Sequence, residues 1–201
     1  LKKLLILITA AVTFSFAESA PHTHDGFFLS IAMGFGYQNI DFVTNDYDDN
    51  TTNLSGTATD IDVKIGGRIA NNLLLHMTLA GTTPTDSYSD DGDEYKTNMS
   101  LLGIGATYYF MYNFLATATL GISQFRFGDD IPTFDATVKT NNDRFSQSGF
   151  GFQLGLGKEW WVSDNWGIGA TAALLYGFAY NLEDARDGSL SISARLTATW
   201  N

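Results

Sequence analysis

A chain of 201 residues, 44% hydrophobic and 16% charged, suits a single domain, and its net charge of −11 with scattered basic residues excludes a nucleic-acid-binding face. The absence of cysteine excludes a disulfide framework, a thiolate zinc site and a thiol nucleophile. Past the N-terminal segment no window approaches the roughly eighteen apolar residues of a membrane-crossing helix. Abundant glycine (20), scarce proline (3) and 14% aromatics leave room for a membrane-crossing sheet, whose strands hide their apolar face by alternation.

Residues 1–17 read as a secretory signal peptide, with Lys2 and Lys3 as its basic start and Leu4 to Val12 as its apolar stretch. Ser15 and Ala17 are the small residues of a cleavage site, so cleavage is expected after Ala17. Residues 18–26 form a polar lead-in, expected to be flexible, that carries His22 and His24.

From Phe27 onward the hydrophobic period is two, the signature of strands. In the first segment Phe27, Leu29, Ile31, Met33, Phe35 and Tyr37 share a face opposite Ser30, Ala32, Gly34, Gly36 and Gln38. The second sets Ile61, Val63, Ile65 and Ile69 against Asp60, Asp62, Lys64 and Arg68. The third sets Leu73, Leu75, Met77 and Leu79 against His76, Thr78 and Ala80. In the fourth, Leu102, Ile104, Ala106, Tyr108 and Phe110 face away from Gly103, Gly105 and Thr107. The fifth, 114–128, keeps phase through Ala116, Ala118, Leu120 and Ile122, but Phe125 and Phe127 fall out of it, which predicts a bulge near Ser123–Gln124.

The sixth sets Phe150, Phe152, Leu154, Leu156 and Trp160 against Gly149, Gly151, Gln153, Gly155, Gly157 and Glu159. The seventh runs through Trp166, Ile168, Ala170, Ala172, Leu174, Tyr176 and Phe178, opposite Gly167, Gly169, Thr171 and Gly177. The eighth sets Leu190, Ile192, Ala194, Leu196, Ala198 and Trp200 against Ser191, Ser193, Arg195 and Thr197. These are eight candidate strands, and the expected fold is all-β: an eight-stranded antiparallel up-and-down transmembrane β-barrel over residues 27–201.

The direction of the apolar face separates a soluble barrel from a membrane one. A barrel this small cannot hold so many Phe, Leu, Ile and Trp inside. Turned outward they make a lipid-facing belt, where a midplane Lys or Arg would cost about 2–4 kcal/mol. Connections at Ala70–Asn71, Met111–Asn113 and Ser163–Asn165 are short, those at about 43–56, 85–94 and 129–145 are long and polar, and a moderate one lies at 181–188. Short periplasmic turns with longer outer loops are the asymmetry of outer-membrane barrels, which places both termini in the periplasm. Aromatics beside the short turns, Tyr108, Phe110, Trp160, Trp166 and Trp200, are expected to form the interfacial girdle.

Three stretches carry a resemblance: GIGATYYFMYNFLATATLGI (103–122), GFGFQLGLGKEWWVSDNWGIGATAALLYG (149–177) and SLSISARLTATW (189–200). In pattern they resemble the outer-membrane β-barrel superfamily of the OmpA and OmpX type, across essentially all of 27–201. The resemblance implies residence in the cell outer membrane and insertion by the barrel-assembly machinery, whose usual signal is a closing strand ending in an aromatic residue. Trp200 fits that signal, although Asn201 follows it.

Asp60, Asp62, Lys64, Arg68, Glu159 and Arg195 are expected to form a charge network in the lumen, filling it more readily than opening an ion path. The loops carry many acids, and Asp90, Asp91, Asp93 and Glu94 are candidate cation contacts without the order of an EF-hand loop. A solvated repulsive surface explains them as well. His76 faces the lumen near a short turn with no serine–acid pair beside it, so no catalytic residue, resident metal or cofactor is assigned and no enzyme is expected. The expected role is structural or surface-interacting through the acidic loops, with a narrow cation-preferring channel and a lipid-modifying enzyme as the alternatives. Expected partners are outer-membrane lipid and lipopolysaccharide, and a monomer is expected.

Overall fold

The computed structural model describes residues 22–43, 51–85, 88–90, 93–128, 144–180 and 186–201. The leader and its cleavage point lie outside them, as do Asp46, Asp48, Asp49, Asp86, Asp91, Asp129, Asp130, Glu183 and Asp184. The strands are β1 (Phe27–Val43), β2 (Thr51–Ala70), β3 (Leu73–Pro84), β4 (Tyr88–Asp90), β5 (Asp93–Tyr109), β6 (Phe114–Gly128), β7 (Arg144–Phe145), β8 (Gly149–Trp161), β9 (Trp166–Tyr180) and β10 (Arg186–Trp200).

Every pairing is antiparallel, and β10 returns to β1 from Leu29↔Trp200 through Asp41↔Gly188, which closes the sheet. The short β4 and β7 only extend β5 and β6 at the long-loop end, so eight strands make the barrel wall. Closure leaves no unpaired edge, the condition for crossing lipid as a sheet. Among the described residues no helix is long and apolar enough to cross a membrane.

The side chains point as the alternation requires. Phe35 is 76% exposed, Leu196 74% and Leu156 67%, while Asp60, Asp62, Lys64 and Arg195 on the opposite face are buried. Large apolar side chains outside and ionic ones inside invert the arrangement of a water-soluble barrel.

Three expectations are corrected. The β5–β6 register runs unbroken from Lys96↔Gly128 to Tyr109↔Leu115, so there is no bulge at Ser123–Gln124. Phe125 keeps its phase and turns inward, fully buried in an apolar cluster with Ile40, Met99, Leu101 and Leu175. The one register shift in the β2–β3 pairing lies between Arg68 and Ala70, at a short turn. The connections assigned to 43–56 and 85–94 are also shorter than expected, half of each being strand, because β2 starts at Thr51 and β4 pairs back on β5.

The tight curvature has a visible cause. Gly103, Gly121, Gly151 and Gly177 are paired in one row across β5, β6, β8 and β9. A Cβ on Gly121 would overlap the Leu102 carbonyl oxygen, and one on Gly177 would overlap the Met99 methyl group. The row lets adjacent strands bend sharply toward each other and makes space for Leu101 and Met99 inside.

Candidate functional site

The lumen is filled in layers. At its middle, β2 and β10 face each other with opposite charges. Asp62 Oδ2 accepts from Lys64 Nζ at 2.7 Å, Arg195 Nη1 at 2.6 Å and Gln153 Nε2 at 3.1 Å. Arg195 Nη2 lies 3.5 Å from Asp60 Oδ1, and its Nε donates to Ser193 Oγ at 2.9 Å. Ser191 Oγ donates to Asp60 Oδ2 at 3.3 Å. Two carboxylates thus meet two cations, and the layer carries no net charge.

Beside it His76 is clasped by hydroxyls, with Nδ1 2.9 Å from Thr78 Oγ1 and Nε2 3.0 Å from Thr107 Oγ1. Toward the loop end, Gln38 Nε2 donates to Ser189 Oγ at 2.9 Å, and above it the Phe125 cluster fills the cross-section. Toward the short-turn end a second apolar cluster joins Phe28, Leu74, Tyr109 and Leu115. A small cavity between this cluster and the ion pairs is lined by Ser30, Lys64, Thr107, Thr117, Glu159 and Thr197.

Of the six predicted lumen charges, Asp60, Asp62, Lys64 and Arg195 come together as described. Glu159 is buried but apart from them, accepting from Tyr109 Oη at 2.9 Å and Thr199 Oγ1 at 2.6 Å. Arg68 is corrected: it is exposed at the short-turn rim, where the register shift ends the strand's inward alternation. Asp90, Asp93 and Glu94 lie on the β4–β5 hairpin, and Asp91 lies outside the described residues.

The girdle residues Tyr108, Phe110, Trp160 and Trp166 are exposed on the outer face, and Trp200 sits edge-on to Trp166 at 5.3 Å. Lys158, which the sequence reading left unassigned, shares this face, its ammonium 4.6 Å from the Phe114 ring centre and 5.7 Å from that of Trp160.

The lead-in is not free over residues 22–26. His22 N–H donates to the Asp164 carbonyl at 2.9 Å, and the Gly26 carbonyl accepts from Arg68 N–H at 3.2 Å. Between them His24 is buried at the barrel mouth, its ring stacked 3.4 Å from Tyr109 and 5.0 Å from Trp161. Burial holds its imidazole below the ordinary 6.5, against smaller upward pulls from Asn201, Asn113, Glu159 and Asp25. The sequence carried no signal for this docking, because a polar run before the first strand reads alike whether bound or free.

The sequence profile of the outer membrane protein beta-barrel domain matches residues 6–196. The chain belongs to this family. Family membership places it in the cell outer membrane and agrees with the outward apolar belt. Comparison with curated protein sequences finds no match. Among solved structures the barrel is similar to neisserial surface protein A, with 16% identity, 88% of this chain and 99% of that one covered, and a TM-score of 0.53. It also aligns with OprG of Pseudomonas aeruginosa (10% identity, 89% and 98% covered, TM-score 0.47). A third alignment is with Ail, the attachment invasion locus protein of Yersinia pestis, in complex with a heparin analogue (14% identity, 85% and 98% covered, TM-score 0.45). At these identities the likeness is one of fold.

Proposed function

We propose that this outer-membrane barrel is a closed scaffold whose work is done at its long-loop end, by contact with molecules outside the cell. The carrying observation is the filled lumen: a neutral ion-pair layer bracketed by two apolar clusters. A cation channel needs an open path with uncompensated carboxylates, and here Asp60 and Asp62 are matched by Arg195 and Lys64. An enzyme of the serine–histidine kind needs an acid behind the imidazole, and His76 has threonines instead. Loops on a rigid scaffold are where binding concentrates. In this reading the connections around 44–50, 129–143 and 181–185 face outward and the termini lie in the periplasm.

Two measurements test it together. Purified protein in a planar bilayer is expected to stay silent across voltages, and stable unitary steps would overturn the closed-scaffold reading. Cells expressing a variant with 44–50 and 129–143 shortened are expected to lose adhesion to protein-coated surfaces while the barrel still folds. Unchanged adhesion, against cells lacking the protein as baseline, would remove the loops from the function.

A further inference from the structure

The outer wall carries two cations in corresponding settings at opposite ends. Lys158 pairs across the sheet with Ala170 of β9, at the short-turn end, and Arg186 with Tyr180 of β9, at the long-loop end. Ten residue steps of β9 separate these levels. At about 3.3 Å per residue that is about 33 Å along the strand. A tilt of about 40° reduces it to about 25 Å along the barrel axis, the height of an outer-membrane apolar band. Between the two levels the outward side chains of β8, β9 and β10 are uncharged. The two cations therefore flank such a band, one at each of its borders, on the side of the lipid headgroups.

The Arg186 setting is the more constructed. Its guanidinium carbon lies 4.3 Å over the Phe178 ring, and Nη2 donates to Tyr176 Oη at 2.9 Å. Phe178 is itself held edge-on by Tyr180 at 6.1 Å. Stacking fixes the plane of the guanidinium and the tyrosine occupies one N–H. The remaining N–H groups sit on an exposed residue that pairs with no carboxylate among the described residues. A planar donor fork of this kind matches phosphate in a way that an ammonium does not.

The geometry points to Arg186, with Tyr176 and Phe178, as a binding site for the phosphate of a phosphorylated glycolipid of the outer leaflet. The choice of leaflet rests on the outward direction of the long loops proposed above. The acyl chains of such a lipid would lie along the outward stripe of Leu190, Ile192 and Leu174 below the guanidinium.

The test uses the full protein folded in detergent, with native mass spectrometry counting retained lipid. Three probes are offered: bisphosphorylated lipid A, the same lipid after phosphatase treatment, and phosphatidylglycerol. Wild type is expected to retain the bisphosphorylated form about tenfold more than Arg186→Gln does, with Arg186→Lys between them. The dephosphorylated form is expected to be retained weakly and equally by all three. Equal retention by wild type and Arg186→Gln, or release from both alike on adding EDTA, would overturn the site. Retention of phosphatidylglycerol as strong as that of lipid A would overturn the glycolipid assignment. The mobility shift of folded barrels on unheated gels confirms that each variant is folded. Orientation is scored separately in intact cells by labelling Tyr112→Cys at a short turn: labelling from outside would sink the outward-loop reading without touching the binding result.

Discussion

At the scale of single residues, His24 shows how a side chain outside the strands can carry a condition on the barrel mouth. Its ring is packed on Tyr109 and Trp161, beside Asn113 and Asn201, with Glu159 and Asp25 as the nearby acids. Burial outweighs those acids and holds the docked imidazole below 6.5, so the undocked segment binds a proton more readily than the docked one. Docking of 22–26 is therefore at full strength above pH 6.5 and weakens as pH falls through that value, levelling off below the docked pKa. The limit is about tenfold in the docking equilibrium per pH unit. The chain has no cysteine, so Thr23→Cys gives a unique probe. Its maleimide labelling, corrected for the reagent's own pH dependence, is expected to rise between pH 7.5 and pH 5.5, and His24→Phe is expected to abolish that rise. A rate that ignores pH in the parent protein would count against the latch.

At the scale of strands, the sequence was readable wherever the two faces differ in polarity. Across the belt the alternation of Ile61, Val63 and Ile65 with Asp60, Asp62 and Lys64 identifies the face, and the structure keeps it. The reading failed where the contrast disappears. At the loop end the interior is apolar too, so Phe125 looked like an error of phase when it was a second core. On β1 and β2 the exterior there turns polar, with Asn53 Nδ2 donating to Asp41 Oδ1 at 2.6 Å and to Asn39 Oδ1 at 3.1 Å. β2 has 20 residues where about 9–11 suffice to cross a bilayer, so its upper part stands clear of the belt as a soluble-type wall. Turn-like composition concealed that extension. The glycine row was visible as glycines but not as a row, since register is a tertiary fact.

The row makes a prediction at its own scale. Gly121→Val puts a β-branched side chain against the Leu102 carbonyl, on backbone that has no lateral freedom. It is expected to destabilise the barrel by about 1–3 kcal/mol through overpacking. The readout is the urea midpoint of unfolding in lipid vesicles. Gly188→Ala, where an added Cβ meets nothing, is the matched control and is expected to leave the midpoint unchanged. Equal midpoints for all three proteins would mean that the curvature does not depend on the row.

At the scale of the whole molecule, stability and closure are separable, because different layers of the lumen supply them. Arg195 holds two buried carboxylates, and replacing it with Met leaves Asp62 with Lys64 and Gln153 but Asp60 with the Ser191 hydroxyl and no cation among the described residues. Removing one partner of a buried network typically costs about 3–5 kcal/mol, so Arg195→Met is expected to lower the unfolding midpoint markedly. It is not expected to open a pore. Above the network the Phe125 cluster still spans the lumen, and below it Tyr109 and Leu115 still pack under the docked His24. Conductance should appear only when both seals are thinned together, as in Leu101→Ala/Phe125→Ala combined with Leu115→Ala on the Arg195→Met background. Bilayer recordings on wild type, Arg195→Met and the combined variant decide the order. Steps from Arg195→Met alone would locate the seal in the ion pairs. Silence of a combined variant that still folds would mean that the side chains of the middle layer close the barrel by themselves.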